Sequence, residues 1–384
     1  MNRSTSWASP VSHTTNHHDG HTTYLIGNQR AAPGALSSSP AIDLHGCFRA
    51  DGPEQLPLLA ERWFADPSPA PLELVDEGSS PALVALSSPT IGVGTVLDRY
   101  RLECEIGAGG FAIVYRAQHL LLRTPVAIKL LRPGRGSEAD LEALCEEARF
   151  AAMVTHANVV RVFDVVRSAA TAYIVMEYVD GPSLAQVVRD HGPLDPLTVL
   201  DIALGACDGL AAALACGLIH RDVKPGNLLL RSDQNVLLAD FGLARHGGVA
   251  GEADDAPTIA GTPAYMAPEQ AAEPGGIDHR ADMYALGATL FHLLTGRVPY
   301  DEHDPLRTIA RHLHDAVPDP RQVIRDVPDE LADLVMELMA KERSDRPSDY
   351  RELKQLLSQV RDSLTRSHRR PAKTIIKRLQ SWFK

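Results

Sequence analysis

The sequence predicts an α+β fold of two lobes, a small antiparallel β-sheet lobe carrying one helix and a larger, mainly helical lobe after it. Three observations predict it. Between residues 99 and 179 the short apolar runs YRLECEIG, FAIVYRAQH, PVAIKLL, VVRVFDVVR and AYIVMEYV are separated by turn residues, which is how paired strands read. One interval among them, residues 138 to 154, reads as a helix packed on that sheet. After DGPSL at 180–184, apolar residues recur at helical spacing to about 360, broken by caps and prolines.

The elements follow in order. Residues 1 to about 40 are rich in Ser, Thr, Asn, His, Gly and Pro, a composition that cannot offset the entropy of ordering. His13, His17, His18 and His21 lie in this tract and read as part of a polar tail rather than a metal site. From 41 to 94 a few apolar positions (Leu44, Leu56, Leu58, Leu59, Trp63, Phe64) stand among Pro and Ser, as a docking helix or a linker would. The organisation expected is an extension over 1–94, a two-lobed domain over 95–360 divided near 179/180, and a tail over 361–384. Within the larger lobe the most apolar window, 199–219, approaches membrane-spanning length but carries Asp201 and Asp208. Carboxylates are costly in lipid, so a buried helix is expected.

Composition narrows the function classes. A net charge of -11 argues against wholesale nucleic-acid binding, which requires a basic surface. The five cysteines are odd in number and lack CxxC spacing, so neither a disulfide framework nor a zinc site is indicated and a reducing, cytoplasmic home is expected. An N-terminus without an apolar core segment gives no sign of a secretory signal.

The chemistry-bearing residues are spread over both lobes. GAGGFAIV (107–114) fits G-x-G-x-x-G-x-V at Gly107, Gly109 and Val114, with Ala112 at the third glycine. Strand-like sequence flanks it on both sides, so it suits a hairpin flap rather than a strand-to-helix turn. In VAIK, Lys129 interrupts an apolar strand, and an acid from the following helix would have to hold it toward a phosphate. With Ala148, Ala151 and Ala152 taken as the packed face of that helix, Glu147 is the expected partner and Glu146 its solvated neighbour. In HRDVKPGN four residues separate Asp222 from Asn227, and a second acid follows at Asp240 in LLADFGLA. A carboxylate that takes a hydroxyl proton, with an amide and a second carboxylate that ligate Mg²⁺, is a constellation suited to phosphoryl transfer. The bland alternative, a structural ion-pair network, leaves the order of the motifs unexplained.

Together GAGGFAIV, VAIK, HRDVKPGN, DFG and APE resemble, in that order, the signature of the eukaryotic-like protein kinases, and GTPAYMAPEQ resembles bacterial serine/threonine kinases of the Hanks type. The resemblance covers about residues 99 to 357 and implies a protein-kinase-like two-lobed fold binding ATP and Mg²⁺. It implies that Gly107, Gly109, Val114 and Ala127 line the nucleotide site and that Lys129, paired with Glu147, binds the α- and β-phosphates. Asp222 would be the catalytic base, Lys224 would stabilise the transferring phosphate, and Asn227 and Asp240 would hold Mg²⁺. Met176 matches the gatekeeper position, the backbone of Glu177 to Val179 would meet adenine, and His220 and Phe241 would be structural. Arg346 would pair with Glu269. Lys224 and Thr262, which in such kinases contact the base, imply serine or threonine as acceptor.

Between Asp240 and Thr262 the chain has one hydroxyl, Thr258, the regulatory candidate, whose phosphate would pair with Arg221. Constitutive charge from Glu252, Asp254 and Asp255 is the competing reading. The implied partners are protein substrates and a second copy for autophosphorylation. From Arg366 to Lys384 the chain carries basic residues and no acid, with Ile375, Ile376, Leu379, Trp382 and Phe383 at helical spacing. Residues 367–384 therefore suit either the anionic inner face of a membrane or a partner protein. The competing function classes are a pseudokinase scaffold, against which Lys129, Asp222, Asn227 and Asp240 all stand, and a small-molecule kinase, against which GTPAYMAPEQ stands.

Overall fold

The computed structural model describes residues 91–168, 171–242, 245–246, 262–272 and 276–367. The N-terminal segment through residue 90, Thr258 with Glu252, Asp254 and Asp255, and residues 368–384 lie outside the described residues.

The smaller lobe is a six-stranded antiparallel sheet of β1 (Val96–Leu97), β2 (Tyr100–Ala108), β3 (Ala112–His119), β4 (Pro125–Leu131), β5 (Val162–Arg167) and β6 (Ala172–Glu177), in the order β1-β2-β3-β4-β6-β5. Alternating side chains give it two apolar faces. One gathers Tyr100, Leu102, Tyr115, Ala117, Val126 and Ile128; the other packs Leu131, Ala172 and Ile174 on Leu141, Leu144 and Ala148 of α1 (Glu138–Met153). Helix α1 starts at a capping box in which Ser137 and Asp140 satisfy each other's backbone amides. Of the alanines expected on its packed face, Ala148 and Ala151 are buried and Ala152 is exposed.

The larger lobe contains α2 (Leu184–His191), α3 (Pro196–Ala215), α4 (Pro268–Ala272), α5 (Arg280–Thr295), α6 (Pro305–His314), α7 (Asp329–Leu338) and α8 (Tyr350–Ser367). It also holds the short strands β7 (Leu218–Ile219), β8 (Leu228–Leu230), β9 (Val236–Leu238) and β10 (Arg245–His246), paired β7 with β10 and β8 with β9. Helix α3 has the length and apolarity to cross a membrane. Its two acids instead meet α8, where Lys354 reaches Asp208 at 2.5 Å and Arg361 reaches Asp201 at 2.6 Å. The expected buried helix ends short of 219, because Gly217 turns the backbone with φ of 76° and Leu218–Ile219 leave as strand. Helix α8 runs unbroken across residue 360, where the sequence reading began the tail.

Helix α5 is the hub, buried on nearly every side, which its mostly apolar sequence requires. Gly287 lets α7 come against it: a Cβ there would meet Leu338 Cβ at 2.7 Å.

Candidate active site

Lys129 projects from the middle of β4, whose neighbours at that level are Val114 on β3 and Ile174 on β6. Its Nζ donates to Glu147 Oε1 of α1 at 2.6 Å and to Asp240 Oδ1 at 2.9 Å. Two carboxylates thus share one ammonium. Burial alone would favour the neutral amine, but Asp240 and Glu147 outweigh it and hold the Lys129 pKa above its ordinary value. Burial pushes the Glu147 carboxyl up, to about 7, against the pull of Lys129. Enclosure pushes Asp240 the same way, yet the adjacent Lys129 charge wins and holds it at about 2, fully ionised with its side chain 41% exposed to the cleft. Gly242 lies against both acids, since a Cβ there would stand 3.2 Å from Asp240 Oδ1 and 3.3 Å from Glu147 Oε2. Glu147 is buried and Glu146 half-buried, as helical rotation about Ala148 dictates.

A second cluster forms on the loop between β7 and β8. Asp222 Oδ2 accepts from Lys224 Nζ at 2.6 Å and from Asn227 Nδ2 at 3.1 Å, while Oδ1 accepts from the Thr262 hydroxyl at 3.0 Å. Lys224 Nζ also donates to Thr262 Oγ1 at 2.7 Å. The Ala239 amide donates to the Asn227 carbonyl at 2.9 Å, bringing the residue before Asp240 onto this loop. Lys129, Glu147, Asp222, Lys224, Asn227, Asp240 and Thr262 are therefore gathered, although the chain spreads them over 134 positions.

The remaining sequence-selected residues fall around these two clusters. His220 is fully buried: its Nδ1 accepts from the Asp222 amide at 3.3 Å, its Nε2 faces the Ala239 carbonyl at 3.2 Å, and its ring meets Phe241 edge-on at 4.9 Å. Ala127 is buried opposite Met176 in the sheet, Glu177 directs its amide to the Arg161 carbonyl and its carboxylate to Arg231, and Val179 is buried with Leu237. Gly107 and Gly109 open the β2–β3 hairpin and Val114 pairs across it with Gly107. Arg346 and Glu269 form a two-pronged ion pair at 2.6 and 2.9 Å, with side chains 0% and 5% exposed. Arg221 lies on the loop with φ of 66°; Thr258, its expected regulatory counterpart, is outside the described residues.

Sequence reasoning missed two residues that hold the loop. Asp282, buried near the start of α5, accepts the backbone amides of His220 at 2.9 Å and Arg221 at 2.7 Å. Gln270 donates to the Arg221 carbonyl at 3.0 Å and accepts from the Ala267 amide at 3.0 Å. An acid at the head of an otherwise apolar helix was the available signal for Asp282.

The donor set suits Mg²⁺. Among the described residues no group of three or more His, Cys, Asp or Glu side chains forms a cage, and Mg²⁺ is ordinarily held by one or two protein oxygens plus phosphate and water. Asn227, whose amide nitrogen is occupied by Asp222, has its oxygen to offer, and the Asp240 carboxylate is ionised.

Comparison with known proteins follows the same lines. The sequence profile described as protein kinase domain matches residues 100–360. A probable serine/threonine-protein kinase of Clostridium acetobutylicum is 33% identical over 275 residues, which is 71% of this chain and 41% of that protein. The serine/threonine-protein kinase PknL of Mycobacterium tuberculosis is 36% identical, across 65% of this chain and 63% of its own length. For the serine/threonine-protein kinase PknB of Mycobacterium leprae the figures are 32%, 68% and 43%. The chain spans less than two thirds of the length of each of these relatives.

Proposed function

The chain belongs to the protein kinase family, and from that premise we propose that it transfers the γ-phosphate of ATP, with Mg²⁺, to serine or threonine hydroxyls of proteins. The observation that carries this reading is two clusters joined through the Ala239–Asn227 backbone bond, Lys129 between Glu147 and Asp240, and Asp222 among Lys224, Asn227 and Thr262. Asp222 accepts the proton of the attacking hydroxyl, and its two oxygens are oriented by Thr262 on one side and by Lys224 and Asn227 on the other. Lys224, an ammonium within reach of both Asp222 and Thr262, would balance the developing charge of the transferred group. Lys129 would hold the α- and β-phosphates, positioned by its ion pair with Glu147. Asn227 and Asp240 would supply the protein's ligands to Mg²⁺, which would neutralise phosphate charge. The hairpin at Gly107–Val114 covers the phosphates, and the backbone at Glu177 and Val179 meets adenine beside Ala127 and Met176. Thr262 and Lys224, both on Asp222, support an aliphatic hydroxyl as acceptor.

Three further readings stand with it. The chain phosphorylates itself at Thr258, through a second copy, with Arg221 receiving the phosphate. The domain spans 95–360 between an extension and a basic tail. The protein acts in the cytoplasm, with residues 367–384 as its contact to an anionic membrane face or to a partner protein.

The test is incubation of the purified chain with labelled ATP and Mg²⁺, wild type against Asp222→Ala, followed by phosphosite mapping. Removal of a general base is expected to cost at least about 10²-fold in rate. Equal transfer by both proteins overturns the assignment of Asp222, and nucleotide binding without transfer by the wild type identifies a pseudokinase scaffold instead. Sites on serine and threonine, with Thr258 among them, are the expected map; tyrosine sites contradict the acceptor assignment.

A further inference from the structure

The β2–β3 hairpin carries glycines at 107, 109 and 110, yet in this conformation none of them has a left-handed backbone and none stands where a Cβ would clash. The nearest approaches are 3.8 Å, Val114 to a Cβ on Gly107, and 3.7 Å, the Ala112 carbonyl to one on Gly109. Glycine is therefore not demanded by the turn as it stands, and its freedom is available to another arrangement of the same loop. What holds this arrangement lies outside the loop. Arg132, one residue past the end of β4, donates from Nε to the Gly109 carbonyl at 2.5 Å and from its backbone amide to the Phe111 carbonyl at 3.1 Å. The Gly109 amide closes the turn on the Ala112 carbonyl at 2.9 Å. Phe111, at the tip, packs on the cluster of Leu131, Leu141 and Leu144, and Ala112 is 4% exposed. The alanine that replaces the third glycine of the signature thus puts its methyl into the sheet and adds to the hold.

We propose that Arg132 is a positioning residue that latches the glycine hairpin down and thereby gates nucleotide entry and exit. The proposal rests on the reading of the cleft as a nucleotide site. A latch of this kind opposes opening whether or not nucleotide is present, because neither of its hydrogen bonds nor the Phe111 packing involves the ligand. Its loss therefore speeds passage in both directions. Loss of a direct contact to nucleotide would speed release alone. The opening itself is a rotation of hairpin dihedrals at the glycines, with Arg132 transferring its Nε–H from the Gly109 carbonyl to water.

The experiment is stopped-flow binding of a fluorescent N-methylanthraniloyl-ADP with Mg²⁺ to the full chain, comparing wild type, Arg132→Ala and Arg132→Lys. Loss of one hydrogen bond at an exposed site is expected to raise the open fraction about threefold. Association and dissociation rate constants of Arg132→Ala both rise by about that factor and Kd stays within about twofold of wild type, since the two changes cancel. Arg132→Lys, which keeps a cationic donor, recovers most of the wild-type rates. Unchanged rates in Arg132→Ala overturn the latch, as does a dissociation rate that rises alone with Kd, which assigns Arg132 to the phosphates instead. If Arg132→Ala does not fold, Phe111→Ala is read in its place, with the same pair of increases expected and unchanged rates equally fatal. A wild-type chain that fails to bind the probe refutes the nucleotide site itself, a result distinct from any difference among the variants.

Discussion

Replacement of Asp282 by asparagine isolates what α5 contributes to the site. The carboxylate is 2% exposed and divides its oxygens between two adjacent amides, with Oδ2 accepting from His220 and Oδ1 from Arg221. Burial pushes its pKa up, while His220 and the two amides act the other way. Asparagine keeps the shape but offers one acceptor oxygen and one amino group, so one backbone N–H of the loop faces a donor. A buried donor left unsatisfied costs about 1–3 kcal/mol, and loss of the charge weakens the surviving bond as well. The stability loss expected is therefore about 2–4 kcal/mol by denaturant titration. The larger effect is expected in turnover. Asp222 directly follows these two residues, and a displacement of about 1 Å at a reacting group can cost about 10²-fold. Asp282→Asn should thus lower kcat by about 10- to 100-fold, with the KM for ATP nearly unchanged because Lys129 and Glu147 belong to the other lobe. Asp282→Ala, which strands both amides, should be worse on both counts. A folded Asp282→Asn protein that turns over within about threefold of wild type would refute the claim that this carboxylate positions the base.

Other perturbations follow from the same geometry. Arg346→Ala leaves the buried Glu269 side chain without its partner, so a loss of about 3–5 kcal/mol is expected by urea titration; a loss below about 1 kcal/mol contradicts the buried-pair reading. His312, 1% exposed on α6, has its pKa lowered from 6.5 to about 4, by burial first and then by the adjacent Lys341 charge, while the Ala264 backbone favours the charged ring. Its folded pKa lies below the unfolded one, so its contribution is full above pH 6.5 and is lost as pH falls toward 4, by about 3 kcal/mol. Stability of wild type and His312→Gln measured from pH 7 to 4 should diverge in slope, and parallel curves exclude His312 as the acid-sensitive group. Truncation after Ser367 should abolish co-sedimentation with vesicles containing phosphatidylserine. Equal sedimentation of full and truncated chains removes the membrane assignment and leaves a protein partner.

The sheet, α1 and the gathering of Lys129, Glu147, Asp222, Asn227 and Asp240 were legible because each carries a local signal. Strands announce themselves by apolar runs between turns, and a charge inside such a run is conspicuous. Glu147 was separable from Glu146 because helical geometry assigns each a face, even though one of the three alanines used to find that face, Ala152, points to solvent. The short strands β7 to β10 were not legible, since two or three residues give no periodicity and their pairing is fixed by the loop that passes between them. Asp282 and Gln270 escaped for a different reason. Their partners are backbone groups, and a backbone amide has no residue type by which a sequence could announce it. The role of Arg132 was hidden in the same way, because its acceptors are the carbonyl of Gly109 and, through its own amide, that of Phe111.

That pattern bears on why so many polar groups stand beside a core between residues 217 and 230. A loop that must aim Asp222, Lys224 and Asn227 at one point cannot be helix or strand throughout, so several of its amides and carbonyls are left without backbone partners. Side chains answer them: from outside the loop, Asp282 takes the amides of His220 and Arg221 and Gln270 the Arg221 carbonyl; from within it, Asn227 takes the Asp222 carbonyl and the His220 ring the Asp222 amide, the ring also facing the Ala239 carbonyl. Well-packed apolar residues of similar volume would often serve stability as well or better than a buried charged network. The loop's shape is thus held at a cost that folding alone does not require. The network joins α5, the segment at Gln270 and the residue before Asp240 to one short loop, so a shift in any of the three must move the Asp222 carboxylate, the base of the proposed transfer. Asp282, with no access to the cleft, is on this argument as consequential for turnover as residues that line it.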